Sequence, residues 1–174
     1  MSREGLGLLQ IYTGEGKGKT TASLGLALRA WGHGLHICVV QFMKKGDDYG
    51  EIKALRRLGV DVFQFGSGRF VHQGKDNKEE KELALRGLDF AVAAIHSGEY
   101  DLVILDEINV ATYFELLDPK EVLSKVDGHE GVEVVFTGRR APPEFLAAAD
   151  LVTVMELVKH PYDKGVDARK GVEF

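Results

Sequence analysis

Leu8-Leu9-Gln10-Ile11-Tyr12-Thr13-Gly14-Glu15-Gly16-Lys17-Gly18-Lys19-Thr20-Thr21 is the stretch on which the reading of this chain turns. Its first five residues form an apolar run of strand length. Gly14, Gly16 and Gly18 follow, then Lys19-Thr20-Thr21, and Leu24, Leu26, Ala27 and Leu28 mark the apolar side of a helix. Strand, glycine-rich turn and helix, with Gly-Lys-Thr at the helix start, is the layout of a phosphate-binding loop. Glycines let successive backbone N–H groups point into one concavity, and the helix N-terminus adds partial positive charge. Lys19 would neutralise phosphate charge, and the Thr20 hydroxyl would ligate a magnesium ion. The competing reading, an ordinary glycine-rich turn, does not account for Gly-Lys-Thr in this context. One position departs from the pattern: the glycine expected five residues before Gly18 falls on Thr13, and Gly14 comes one residue late. Either the cradle is shorter, or the nucleotide sits in it differently.

Outward from the loop, the chain of 174 residues is long enough for one full domain spanning 1–174 and short for two. Its net charge of −5 argues against sequence-independent binding of nucleic acid, which needs a basic excess to displace counterions. The single cysteine, Cys38, cannot form an internal disulfide and falls in the apolar run Ile37–Val40, as a small core side chain would. No charged-then-apolar leader is evident, and no apolar run approaches the roughly 20 residues of a membrane helix. The expectation is a cytoplasmic protein with no membrane partner.

Beyond the first helix, Trp31-Gly32-His33-Gly34 reads as a helix stop and turn. Strands are expected at 35–42, 60–65, 101–107, 132–137 and 151–155, most of them continuously apolar, as strands covered on both faces are. Helices are expected at 51–58, 78–96, 120–126 and 142–148, with Asp118-Pro119 as N-cap and first-turn proline of the third of these. Such alternation indicates an α/β fold with a mainly parallel six-stranded sheet and helices on both faces. Ligands of these sheets lie beyond the carboxyl ends of the strands. Four segments should therefore share one crevice: the loop after Tyr12, the loop after Phe42, Asp106-Glu107, and Thr137-Gly138-Arg139. The irregular segment 66–77 is of a length that is more often functional than idle.

Within that crevice, Glu107 reads as the magnesium-side carboxylate, because magnesium keeps several waters and takes few protein ligands. The competing reading of Asp106-Glu107 is an acid pair satisfying backbone donors at a helix start, and for Asp106 both readings stand. Lys17 either reaches a phosphate or is solvated. Arg139 offers a guanidinium suited to phosphate oxygens, with Arg140 beside it as a surface residue. His33 and His36 have ligand-like spacing, but the glycine turn between them spoils a shared face. No Cys/His cluster and no nucleophile elbow is present.

Taken in order, several motifs resemble the ATP:corrinoid adenosyltransferases. They are Tyr12-Thr13-Gly14-x-Gly16-Lys17-Gly18-Lys19-Thr20-Thr21, Arg29-Ala30-x-Gly32-x-Gly34, Val40-Gln41-Phe42-x-Lys44, Asp101 to Asn109, Thr137-Gly138-Arg139, and Lys159-His160 with Gly165 and Ala168-Arg169-Lys170-Gly171. The resemblance implies a P-loop (RecA-like) three-layer fold and a homodimer. It also implies transfer of the 5′-deoxyadenosyl group of ATP to the cobalt(I) of a corrinoid, with inorganic triphosphate leaving. It carries over roles for this chain: phosphate contacts at Thr13, Gly14, Gly16, Lys17, Gly18, Lys19, Thr20 and Thr21, with Lys44 and Arg139 nearby and Thr20 and Glu107 serving Mg2+. Lys19, Glu107 and Arg139 would form the catalytic set. Phe70 and His72 would lie on the corrin side, His72 standing near where some members have tryptophan. A reductase or flavin reductant is implied as partner. The chain starts few residues before its first strand, so the segment that covers the site in some members is expected to be missing, and Glu15 stands where asparagine is common.

Two other classes compete: a RecA-like P-loop ATPase in which Glu107 activates water, and a non-catalytic ATP-binding regulatory module. The displaced glycine bears on the choice. A hydrolase exposes the terminal phosphate, whereas an adenosyltransferase must expose C5′ and retain all three phosphates as one leaving group. The expectation is an ATP held in the reverse sense, its γ-phosphate in the place usually taken by the α-phosphate.

Overall fold

The computed structural model describes residues 5–46, 48–69, 71 and 77–173. Phe70 and His72 lie outside the described residues. The six strands are β1 (Leu9–Thr13), β2 (Ile37–Phe42), β3 (Asp61–Phe65), β4 (Leu102–Asp106), β5 (Glu133–Thr137) and β6 (Leu151–Val154). They form a sheet in the order β3-β2-β4-β5-β1-β6, and every recorded pairing is parallel. The α-helices between them are α1 (Lys19–Gly32), α2 (Gly50–Arg57), α3 (Lys78–His96), α4 (Ile108–Tyr113), α5 (Pro119–Val126) and α6 (Pro143–Ala148). This is the doubly covered α/β architecture expected from the alternation of apolar runs.

Period-two alternation divides the strand side chains between two cores. Val39, Ile104 and Val135 pack with Leu24, Ala27, Ile52 and Leu55 of α1 and α2. Cys38, Val40, Val103, Leu105, Val134 and Phe136 pack with Ala84, Leu88 and Ala91 of α3 and with Ile108, Val122 and Phe145 beyond. Cys38 is fully buried, and burial first, with Asp61 nearby, pushes its thiol up to about 12. It is a core side chain and not a nucleophile.

Two boundary features carried over from the sequence intact. Asp118 accepts hydrogen bonds from Lys120 N and Glu121 N while Pro119 opens α5, a complete N-cap. Helix α3 spans 78–96 as its periodicity requires, and its His96 Nε2 lies 3.4 Å from the Lys125 carbonyl. Several strand starts moved inward by one or two residues. Leu35 and His36 precede the ladder because the His36 carbonyl is held by the amides of Asp101 and Leu102 before strand pairing begins. No helix of the described residues is long and apolar enough to cross a membrane.

The tail, which enters the sequence reading only through the family resemblance, packs against the glycine-rich loop. After β6 the backbone crosses directly over the glycine-rich loop. Gly16 N donates to Met155 O at 2.7 Å, and Met155 N donates to Thr13 O at 2.8 Å. A side chain at Gly16 would meet Glu156 O at 2.5 Å, and one at Gly14, where φ is +99°, would meet Met155 N at 2.8 Å. Both glycines are therefore required by the crossing chain as well as by any ligand.

Candidate active site

The four segments expected to share a crevice do so. A cleft of about 1100 Å³ opens at the carboxyl ends of the strands, lined by Glu15 to Thr21, Lys44, Glu107 and Arg139. The α2 start (Tyr49, Gly50, Glu51) and the tail (Leu157, His160, Tyr162, Asp163, Gly171, Val172, Glu173) complete its walls. A second cleft, about 450 Å³, lies at the opposite, amino end of the sheet between Trp31, His36, Asp61 and Tyr100.

Gly18 takes the left-handed conformation, φ +115°, and caps α1. The first N–H groups of that helix have no intrahelical acceptor and face the cleft with its positive dipole end. Lys19 is buried and donates from Nζ to Gly14 O at 2.7 Å and Gly16 O at 2.6 Å. Burial and then Arg139 hold its pKa below the ordinary lysine value, with Glu107 and Glu15 opposing. Without a ligand, the cation is thus satisfied by carbonyls of its own loop. Thr13, at the displaced glycine position, is also buried, and its hydroxyl accepts from Ala141 N at 3.2 Å.

Asp106 is the buried centre of the site. Its Oδ1 accepts from the hydroxyls of Thr20, at 2.8 Å, and Thr137, at 2.6 Å. Its Oδ2 accepts from Gln41 Nε2 at 2.9 Å and Lys44 Nζ at 2.7 Å. Burial alone would raise its pKa, but the Lys44 charge and these hydrogen bonds hold it below the carboxylate range. Asp106 meets four side-chain donors, not the backbone donors of a helix start. The geometry has a consequence for Thr20. Because its proton is donated to Asp106, its lone pairs face the cleft and can meet a cation.

Glu107 behaves oppositely. It sits at φ +67°, a left-handed turn that sends its side chain out of the strand line, and its amide donates to Thr137 Oγ1 at 3.0 Å. Burial, and then Asp106 beside it, push its carboxyl pKa up, while Lys44, Lys19 and Arg139 pull the other way. The Glu107 carboxylate and the Thr20 hydroxyl line the same cleft, and both are oxygen donors of the kind Mg2+ takes.

Three cations have partners the sequence did not foretell. Lys17, read as either phosphate-bound or solvated, donates to Val172 O at 3.0 Å and Glu173 Oε1 at 3.1 Å. Glu173 in turn takes three hydrogen bonds from Arg169, and Arg169 first, with Lys17 after it, drops its carboxyl to about 2. Arg139 lies 3.7 Å from Glu15, and Arg140 lies 3.6 Å from the same carboxylate with its guanidinium 4.4 Å from the Tyr113 ring centroid. The functional arrangement that residue types alone missed is the tail wall and the polar row of Gln41, Gln64 and Thr137. Its signal was a polar residue at or next to the carboxyl end of each of three strands, β2, β3 and β5.

The sequence model described as "ATP:corrinoid adenosyltransferase BtuR/CobO/CobP" matches residues 5–174, nearly the whole chain. The chain belongs to the ATP:corrinoid adenosyltransferase family. It is similar to a corrinoid adenosyltransferase of Sinorhizobium sp, 38% identical over 173 residues that cover 97% of this chain and 80% of the relative. A corrinoid adenosyltransferase of Pseudomonas aeruginosa is 36% identical, covering 99% and 86%. The corrinoid adenosyltransferase CobA of Salmonella typhimurium is 33% identical, covering 99% and 88%. As a corrinoid adenosyltransferase the chain has the P-loop α/β fold of its family, and the substrates of that family are ATP and a corrinoid.

For this adenosyltransferase the raised Glu107 pKa has a testable sign. The folded protein binds that proton more tightly than the unfolded chain does. Glu107 therefore favours the fold below the ordinary carboxyl value, and that contribution is lost as pH rises through the folded value. Without magnesium, Glu107→Gln should raise the thermal midpoint at pH above the ordinary carboxyl range, with little gain below it. Thermal melts across that range check this, and an equal gain at every pH would refute it. The Lys17–Glu173 pair gives a second expectation. It is partly exposed, and solvent screening leaves such pairs little net strength. Releasing Lys17 and removing an anion from a triphosphate site by Glu173→Gln should lower the ATP KM, by at most about 5-fold. A KM that rises instead would make the tail a support for nucleotide.

Proposed function

We propose that the cleft binds Mg2+·ATP on the loop from Thr13 to Thr21 and presents C5′ of its ribose to the cobalt(I) of a bound corrinoid. The single observation carrying this reading is the convergence of Lys19, Thr20, Glu107 and Arg139 on one cleft, in a chain matched by the corrinoid adenosyltransferase family over 5–174. Cobalt(I) supplies the electron pair for the new cobalt–carbon bond. The C5′–oxygen bond breaks, its electrons leave with triphosphate, and the cobalt is oxidised by two electrons to cobalt(III). The nucleophile carries no proton, so no general base is needed. The corrin brings its own metal, so no protein ligand cluster is needed for it.

What the chain must supply is position and neutralisation of a growing negative charge on the leaving group. Lys19 exchanges its two loop carbonyls for phosphate oxygens. The free amides at the start of α1, among them those of Thr20 and Thr21, take further oxygens, and Gly18 lets the chain turn to present them. Arg139 leaves Glu15 to reach the same polyanion, and Lys17 joins when the tail releases it. Thr20 and Glu107 would hold Mg2+, which supplies charge neutralisation when bound. Because the whole triphosphate must be retained, ATP lies in the reverse sense, with the γ-phosphate where the α-phosphate usually sits. Lys44 holds Asp106 from the corrin-facing side of the cleft, and Phe70 and His72 contact the corrin. Residues 1–174 act as one domain within a homodimer, in the cytoplasm, and a reductase or flavin supplies the electron that takes cobalt(II) to cobalt(I).

Incubation of the protein with magnesium, ATP and chemically reduced cob(I)alamin, in the dark and without oxygen, tests the reading. Light-sensitive adenosylcobalamin formed with inorganic triphosphate is the expected outcome. ADP and orthophosphate appearing regardless of corrinoid would identify a hydrolase, and tight ATP binding without turnover a regulatory module.

A further inference from the structure

The carboxyl-end row of the sheet carries a polar side chain on four adjacent strands. They are Gln64 on β3, Gln41 on β2, Asp106 on β4 and Thr137 on β5. Gln41 pairs in register with Gln64 on one side and with Asp106 on the other. Gln41 is 1% exposed and Asp106 is fully buried, so each amide must find partners inside the protein. They bond to each other. Gln64 Nε2 donates to Gln41 Oε1 at 3.0 Å, and Gln41 Nε2 donates to Asp106 Oδ2 at 2.9 Å.

The sense of this chain is set by Asp106. An ionised carboxylate only accepts, so Gln41 must turn its NH2 toward Asp106 and its oxygen toward Gln64. Gln64 must then turn its own NH2 inward and its oxygen outward. That oxygen accepts from Gly46 N at 3.1 Å, while Gln64 Nε2 also donates to Gly46 O at 3.1 Å. Both backbone groups of Gly46 are thereby clamped by one side chain. The clamped turn begins at Met43, left-handed at φ +59°, whose amide donates to Phe65 O at 2.9 Å. It carries Lys44, whose Nζ returns to Asp106. Gly66 lies against it so closely that a Cβ there would be 2.6 Å from Lys44 N.

At the other end, Asp106 holds the Thr20 hydroxyl of the phosphate loop. Hydrogen bonds that converge on Asp106 thus join the phosphate loop to the Met43–Gly46 turn across three strands, with Lys44 on the same carboxylate. We infer that Gln41 and Gln64 are positioning residues for adenosyl transfer. Through them, nucleotide on the phosphate loop and the placement of the turn that carries Lys44 favour one another. The inference rests on the reading above that Mg2+·ATP occupies the phosphate loop. When a cation takes the Thr20 lone pairs, the hydroxyl proton becomes a stronger donor to Asp106. A carboxylate fixed in place by Thr20 leaves Gln41 and Gln64 a single arrangement that satisfies them, and so orders the turn that Gln64 clamps. A purely structural role for the two glutamines would satisfy buried polar groups equally with and without nucleotide.

Residue-resolved amide hydrogen exchange of the full chain, with and without Mg2+·ATP and no corrinoid, reads this directly. In the wild type, Mg2+·ATP should slow exchange at Gly46 by about 5-fold or more, the worth of a hydrogen bond strengthened or retained. In Gln64→Met, which keeps the length and removes the amide, Gly46 should exchange faster and lose its response to nucleotide. The ATP KM should rise by about 5-fold with kcat within about 2-fold, because the row supports bound nucleotide equally before and during the reaction. Gln41→Met should behave alike. Protection of the Gly14–Thr20 amides without any change at Gly46 would overturn the coupling and leave the phosphate-loop reading intact. No protection at Gly14–Thr20 would instead overturn the phosphate-loop reading. Gly46 in Gln64→Met still slowed to the wild-type extent would refute the role of the glutamines. The wild-type comparison stands even where a variant fails to fold.

Discussion

Lys19→Ala is expected to reduce kcat/KM for adenosyl transfer by about 10³-fold or more, the size of effect seen when a preorganised donor to a developing anion is removed. When no nucleotide is present, the lysine is already seated in the loop. Its Nζ is held between Gly14 O and Gly16 O, inside a loop braced from behind by Met155 and Glu156. The charge is therefore fixed within a short swing of the helix N-terminus before ATP arrives, and little ordering is left to be done on binding. Its depressed pKa, set first by burial and then by Arg139, reflects a partly desolvated cation that a phosphate oxygen would offset. The substitution should leave the fold largely intact, since the charge-assisted bonds lost, about 1.5–3 kcal/mol each, are offset by removal of a partly desolvated ammonium. Steady-state adenosylation alongside a thermal melt separates the two effects. Near-normal turnover by a folded variant would remove the phosphate loop from the mechanism.

Asp106→Asn is expected to have the largest effect on stability, about 3–5 kcal/mol, because it strips a buried pair of one partner and leaves the other charged. Four donors converge on Asp106: two hydroxyls, an amide and the Lys44 ammonium. An asparagine offers one acceptor oxygen and must turn an NH2 toward donors on the other side, so at least two of the four lose their acceptor. Burial works against the Lys44 charge, but Asp106, then Glu107, raise its pKa overall, and that compensation fails in the variant. The pH dependence has a definite sign. The folded Asp106 pKa is depressed, so its contribution is present above the ordinary carboxyl range and is lost as pH falls through the folded value. Urea unfolding of wild type and variant should accordingly converge in strongly acid solution. A gap that persists unchanged at every pH would assign the loss to packing. Activity should fall as well, by about 10- to 100-fold, since Thr20 loses the group that orients its hydroxyl.

The architecture was legible because its strands are covered on both faces. Ile37-Cys38-Val39-Val40 and Leu102-Val103-Ile104-Leu105 have no polar position to confuse the period, and both runs became fully buried strands at the sheet centre. The crevice followed from strand order and the rule that ligands lie beyond carboxyl ends. Glu107 was read as the cleft-side carboxylate and it lines the cleft, but the backbone turn that separates it from Asp106 was not legible. Asp106 and Glu107 are chemically alike in sequence, and the difference is made by the left-handed backbone at Glu107, which no local residue type demands. The tail was opaque for another reason. Its contacts with the loop are made by backbone groups of Met155 and Val172 and by an ion pair between residues 17 and 173, and such long-range pairing leaves no local pattern. Gly14 and Gly16 were read for phosphate alone, while the structure gives them a second duty under the Met155–Glu156 crossing.

That second duty bears on the departure at Thr13. With Gly16 N spent on Met155 O and Thr13 engaged by Ala141, the loop offers fewer inward donors than a longer cradle would, concentrated near Gly18 and the α1 start. A short, strongly positive seat suits one end of a triphosphate that is to be retained whole. The most direct measurement is a crystal structure of the Mg2+·ATP complex. The account predicts the γ-phosphate against the α1 N-terminus beside Lys19, Mg2+ at Thr20 and Glu107, and the ribose C5′ open to the corrin side. An α-phosphate in that position, with the γ-phosphate directed outward toward an acceptor, would contradict it.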